Sequence, residues 1–151
     1  MITNFGSAKW QGGLKDGQGQ VSTRSGALKD QPYGFKTRFE DAPGTNPEEL
    51  IGAAHAACFS MALSMILAGE GVTDVTIETK STIGLDKEGD GFAIKTAHLE
   101  TRVSGNGDRS VIEEAARKAE KNCPVSKVLN ADISLDVTVA LSLIHISEPT
   151  R

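Results

Sequence analysis

Runs of lysine and arginine are missing from this sequence, whose formal net charge is -4. The electrostatic footprint of a nucleic-acid binder is therefore absent, and a small molecule or another protein is the expected partner. Cysteine is scarce too, with Cys58 and Cys123 the two in 151 residues. In a reducing compartment such a pair points to catalytic, redox or metal chemistry more than to structure, and none is spare. Met1 to Trp10 has neither a basic n-region nor an apolar h-region, so a cytoplasmic location is expected. No repeat or low-complexity linker divides the chain. Residues 1–140 are expected to form one domain around one core.

Fixed charge is also absent from Leu50 to Ala68, and here the absence is informative. Asn46 suits an N-cap, Pro47 the first helical position, and Glu48 and Glu49 the positive end of a helix dipole. Gly69 and Gly71 mark the end. A helix apolar on every side needs partners on every side, and at this length of roughly 33 Å it crosses a small domain. A membrane span is the rival reading. It is rejected because the run is mostly Ala, Gly and Ser with His55 inside it, lacks Lys or Arg anchors, and is flanked by alternating, strand-like segments.

The remaining elements follow from period and punctuation. Phe5–Trp10 and Gln18–Thr23 predict a hairpin. Tyr33, Phe35, Thr37 and Phe39 predict one face of a strand, with Arg38 pointing away from it. Val75 to Ile83 and Phe92 to Val103 predict a long antiparallel hairpin turning at 86–91. Ser110 to Glu113 reads as a capping box, opening a helix with a Val111, Ala115, Ala119 stripe. Asn122-Cys123-Pro124 breaks that helix and starts a short one, and Ile133 to Val139 alternates as a last strand. The class is α+β with antiparallel hairpins. A small sheet covers only one side of the central helix, so an intertwined homodimer is expected.

Buried apolar surroundings ordinarily make a mid-helix cysteine such as Cys58 inert. Three features favour reactivity: His55 lies three residues earlier, Cys123 sits at a helix start, and no other cysteine competes for pairing. Ionising Cys58 requires a fixed positive group. Arg38 is the candidate, with Glu48 the candidate carboxylate to hold its planar fork. Glu48 precedes Cys58 by ten positions, roughly 15 Å along a straight helix, so the two do not meet within it. Either the helix bends or Glu48 serves another subunit. Rival readings are acyl transfer with His55 as base, metal binding by His55, Cys58 and Cys123, and a cysteine-pair redox sensor without turnover. His98 and His145 read as surface residues.

Pro47-Glu48-Glu49-Leu50 through His55-Ala56-Ala57-Cys58-Phe59, followed by Asn122-Cys123-Pro124-Val125-Ser126, resembles the OsmC branch of the OsmC/Ohr family. The likeness also takes in Gln31 to Phe35 and Thr37 to Glu40, and runs from about Lys9 to Val139. It implies a homodimer with the long helix packed between antiparallel sheets from both chains. It further implies a thiol-dependent peroxidase for organic hydroperoxides, with Cys58 peroxidatic, Cys123 resolving, Arg38 stabilising the thiolate and Glu48 partnering Arg38. No bound cofactor is implied; an external dithiol, a lipoylated protein or small dithiol, is the reductant. Residues 141–151 depart from the family and read as translation through a sequencing adapter, a tail outside the native protein.

Overall fold

The computed structural model describes residues 1–141; the rest of the expected tail, with His145, lies outside the described residues. The chain divides into two compact units, Met1–Leu50 and the remainder from Ile51.

In the first unit, β1 (Gly6–Gln11), β2 (Gln18–Thr23) and β3 (Gln31–Tyr33) form an antiparallel sheet in that order. The predicted hairpin is present. The strand expected through Phe39 is not: it stops at Tyr33, and Phe35–Phe39 is a helix, α1. Thr37 supplies the cause. The Gly34 N–H donates to Thr37 Oγ1, which donates to the Gly34 carbonyl, each at 2.9 Å, and this local loop replaces a ladder partner. Phe35 and Phe39 are two apart on a strand face but also i and i+4 on a helix, where their rings meet at 4.9 Å between centroids. Arg38 correspondingly lies over the Phe39 ring, 5.4 Å from its centroid, instead of facing away from the aromatics.

Helix α2 (Pro47–Gly69) starts as expected, with the Glu49 N–H donating to Asn46 Oδ1 at 2.8 Å. Its end is a Schellman motif. Gly71 takes a positive φ of 79°, its N–H reaches the Ala68 carbonyl, and the Val72 N–H reaches that of Leu67.

In the second unit, β4 (Thr73–Glu88) pairs antiparallel with β5 (Gly91–Asn106), and the turn shrinks to Gly89 and Asp90. Helix α3 (Arg109–Asn122) follows. Its N-cap is Asp108, not Ser110, and no side chain caps it. The Ile112 N–H donates to the Asp108 carbonyl at 3.1 Å, which starts the helix two residues before the predicted box. The face it buries is Ile112, Ala115, Ala116 and Ala119, with Val111 only partly buried. A five-residue helix, α4 (Pro124–Val128), leads to β6 (Asp132–Leu141). Strand β6 runs parallel to β5, so this sheet is mixed where antiparallel pairing was expected. Alternating burial looks the same in either direction, whereas a connection through two helices allows the parallel return that a tight turn forbids.

The core joins Phe59, Leu63 and Leu67 of α2 to Leu99 and Val103 of β5, Ile112 and the alanines of α3, Cys123 and Val139. Burying each large side chain contributes about 1.5–3 kcal/mol. Ser60 Oγ donates to Thr79 Oγ1 at 2.8 Å, and Thr79 meets Thr101 at 2.9 Å, which satisfies hydroxyls between α2, β4 and β5. The opposite side of α2 is uncovered, with Met61 76% and Met65 72% exposed. By length and composition α2 could cross a membrane, but its packed Phe59, Leu63 and Leu67 face fits the core helix of a soluble protein.

Close contact between α2 and β4 depends on Gly52, where an added Cβ would lie 2.7 Å from the Ser81 carbonyl oxygen. Alanine ordinarily stabilises a helix interior by about 1 kcal/mol relative to glycine. At Gly52 overpacking, which costs about 1–3 kcal/mol, outweighs that gain. Gly52→Ala should therefore lower the urea midpoint; an unchanged or higher midpoint would show that the helix can move away freely.

Candidate active site

Two clusters of sequence-predicted residues are assembled, one in each unit. Arg38, on α1, makes a bidentate pair with Glu48 in the first turn of α2: Nε donates to Oε1 at 2.9 Å and Nη2 to Oε2 at 2.8 Å. Parallel bonds of this kind hold the guanidinium plane in one orientation. The Arg38 side chain keeps 36% of its exposure against 13% for Glu48, so one edge of the fork remains accessible. Its hydrogen bond to Glu48 raises the already high Arg38 pKa, and the group is a permanent cation.

Cys58, in the middle of α2, meets Cys123 at the junction of α3 and α4, and both are free thiols. Cys58 is half-buried and Cys123 fully buried. The junction exists because Pro124 cannot continue α3 but is suited to begin α4. Burial pushes the Cys58 thiol up, and its hydrogen bond with Cys123 pushes the same way. The Val125 backbone N–H opposes both. That donor is in the first turn of α4, where no intrahelical acceptor exists for it.

Residues 39–138 match the family model described as OsmC-like protein. The chain belongs to the OsmC family. It is 54% identical over 136 residues to Peroxiredoxin OsmC of Escherichia coli, an alignment covering 89% of this chain and 95% of that protein. Over 98 residues it is 37% identical to organic hydroperoxide resistance protein-like 2 of Staphylococcus epidermidis, covering 62% and 68% of the two. Among solved structures, it is similar to the organic hydroperoxide resistance protein OhrB of Bacillus subtilis with a TM-score of 0.66 and 26% identity, covering 91% and 98%. The long helix with two sheets is thus the OsmC/Ohr fold.

His55 is placed differently from what its spacing to Cys58 suggested. In this OsmC-family chain it is fully buried, with Nδ1 2.8 Å from Ser81 Oγ on β4 and Nε2 2.9 Å from Ser126 Oγ on α4. Both ring nitrogens are engaged by hydroxyls, which leaves none to act as base toward Cys58. Among the described residues no group of three or more His, Cys, Asp or Glu is gathered to hold a metal ion. His98 is partly exposed and bonds Ser134 and Asp136 on the neighbouring strand. Ser81, Ser126 and the Val125 N–H were not foreseen. Ser81 shares the alternating inner face of β4, but nothing local distinguishes Ser126 from any other serine in a first helical turn.

Burial lowers the His55 pKa, so between the folded value and about 6.5 the unfolded chain binds the proton more readily. Its contribution to stability is complete above about pH 6.5 and is lost as pH falls through the depressed folded value. Urea midpoints should therefore drop on acidification, with a shallower drop in His55→Gln. Identical pH slopes would mean that His55 does not titrate on unfolding.

Proposed function

We propose that this protein is a thiol-dependent peroxidase that reduces organic hydroperoxides, alkyl or lipid, to alcohols. Relatives named peroxiredoxin and organic hydroperoxide resistance protein make it a peroxidase-type oxidoreductase. The observation that best supports the finer reading is the meeting of Cys58 with Cys123. The Cys58 thiolate attacks the distal peroxide oxygen, the O–O bond breaks, and the alkoxide takes a proton and leaves as alcohol. Cys58 is now a sulfenic acid. The Cys123 thiol attacks its sulfur, water departs, and a Cys58–Cys123 disulfide forms. An external dithiol, on a lipoylated protein or free, restores both thiols by exchange. The cytoplasm supplies such reductants.

Because burial and Cys123 both disfavour the Cys58 thiolate, a fixed cation is required, and Arg38 held by Glu48 has that role in this reading. Glu48 and Cys58 are ten residues apart on one helix, so the Arg38–Glu48 pair is assigned to the thiolate of a second copy. The uncovered side of α2 supports a homodimer. Ala54, Ala57, Met61, Met65 and Ala68 follow one another at intervals of three and four and are all exposed in the single chain. A second copy laid across this stripe, with sheets from both chains around the helices, buries it. The Phe39 ring under Arg38, with Phe35 against it, favours an alkyl group over hydrogen peroxide, each buried methylene contributing about 0.8 kcal/mol.

Steady-state consumption of cumene hydroperoxide with dihydrolipoamide tests the reading. Wild type should turn over many times, Cys58→Ser should be inactive, and Arg38→Ala should lose about 100- to 1,000-fold, as when a main electrostatic stabiliser is removed. A single equivalent consumed with several dithiols would instead indicate a redox sensor, and equal efficiency with hydrogen peroxide would remove the alkyl preference. Sedimentation should find a dimer, and Met61→Glu with Met65→Glu should shift it to monomer; a monomeric wild type would refute the assigned dimer.

A further inference from the structure

We propose that His55 is a positioning residue: through Ser126 it holds the segment Cys123–Val125 in register with Cys58, and so governs how efficiently the oxidised Cys58 is captured. The inference rests on the thiol-peroxidase reading. It goes beyond it by giving a role to a residue that contacts neither thiol in that chemistry.

The geometry is a bridge across three elements. His55 sits on α2 one turn before Cys58, Ser81 is on β4, and Ser126 is on α4, three residues after Cys123 and one after Val125. Gly52, one turn earlier on α2, permits the close approach to β4 that brings Ser81 within reach. Beside the Val125 N–H bond to Cys58, the His55–Ser126 bond ties a side chain of α4 to α2. Helix α4 is only five residues long and is followed by Leu129 in extended conformation, so little in its own backbone fixes it. Fixing Ser126 fixes the turn of helix that contains the Val125 N–H aimed at Cys58, and the Cys123 immediately before it. A flat ring with two opposed nitrogens spans Ser81 and Ser126 rigidly. Burial keeps it neutral, so one nitrogen donates and the other accepts.

Two reactions compete for the Cys58 sulfenic acid. Attack by the Cys123 thiol forms the disulfide and releases water. Attack on a second hydroperoxide instead gives Cys58 sulfinic acid and a second alcohol, with no protein thiol consumed. The ratio of disulfide to sulfinic acid is set after Cys58 has been oxidised, so it does not depend on how fast the first step is. It reads the placement of Cys123 directly.

The experiment treats reduced wild type, Ser126→Ala, His55→Leu and His55→Gln with a series of cumene hydroperoxide concentrations. Intact and peptide mass spectrometry then gives the ratio, with circular dichroism confirming the fold. Ser126→Ala and His55→Leu should each raise the sulfinic fraction relative to disulfide about tenfold, the scale of one buried hydrogen bond. His55→Gln, whose amide both donates and accepts, should recover most of the wild-type ratio, a rescue that does not follow from a role in stability alone. The double variant Ser126→Ala, His55→Leu should be no worse than the singles, because one bridge is lost in each. A wild-type ratio in folded Ser126→Ala, the mildest change, would overturn the inference while leaving the peroxidase intact. Absence of a Cys58–Cys123 disulfide in the wild type would overturn the reading beneath it and the inference together.

Discussion

Nineteen consecutive residues without a fixed charge, wound into a helix, need cover, and most of this structure follows from that constraint. In the second unit a mixed sheet and α3 meet one face of α2 and bury Phe59, Leu63 and Leu67 among Leu99, Val103 and Ile112. The same packing desolvates Cys58 and His55. A thiol in this place is inert unless donors and a cation are brought to it, and a histidine in this place is neutral unless it is paired with a charge. Hydrophobic packing thus decides which electrostatic partners the chemistry needs. The Val125 N–H is one such donor, and the Arg38–Glu48 fork of a second copy is the cation proposed for the same task.

Much of this was legible in the sequence because the strongest signals there are physical and local. The charge-free run, Asn46 at its start and Gly71 at its end fixed α2 to within a residue or two, and strict alternation located β4 and β6. The pairing of Cys58 with Cys123 and of Arg38 with Glu48 came from the needs of thiol chemistry together with family resemblance. What was misread has a common cause, the degeneracy of short periods. Tyr33 to Phe39 satisfies both a two-residue and a four-residue repeat, and Thr37 tips it to helix through a hydrogen bond that no periodicity reveals. Ser110 to Glu113 has the composition of a capping box, but the Ile112 N–H bonds the Asp108 carbonyl and the helix starts two residues earlier.

Residues joined only by tertiary structure were hardest to foresee. His55 precedes Cys58 by one helical turn, which suggested partnership with the thiol. The imidazole instead spans from β4 to α4, to serines 26 and 71 positions away. Spacing along one helix determines which face a residue occupies, but not which neighbours lie across from it. The direction of β6 belongs to the same class, since inward and outward residues alternate identically whether a strand runs parallel or antiparallel to its neighbour.

The parallel return of β6 also bears on when the molecule becomes reactive. Cys123 lies inside the crossover of α3 and α4 that joins β5 to β6, and Cys58 lies ahead of the whole β4–β5 hairpin. Non-local closure of this kind carries a loop-closure entropy that local hairpins and helices do not. An unfolded chain presents Cys58 and Cys123, 65 positions apart, as isolated thiols; the folded chain makes them a couple. The thiol couple is therefore a property of the tertiary fold and of no local stretch of sequence.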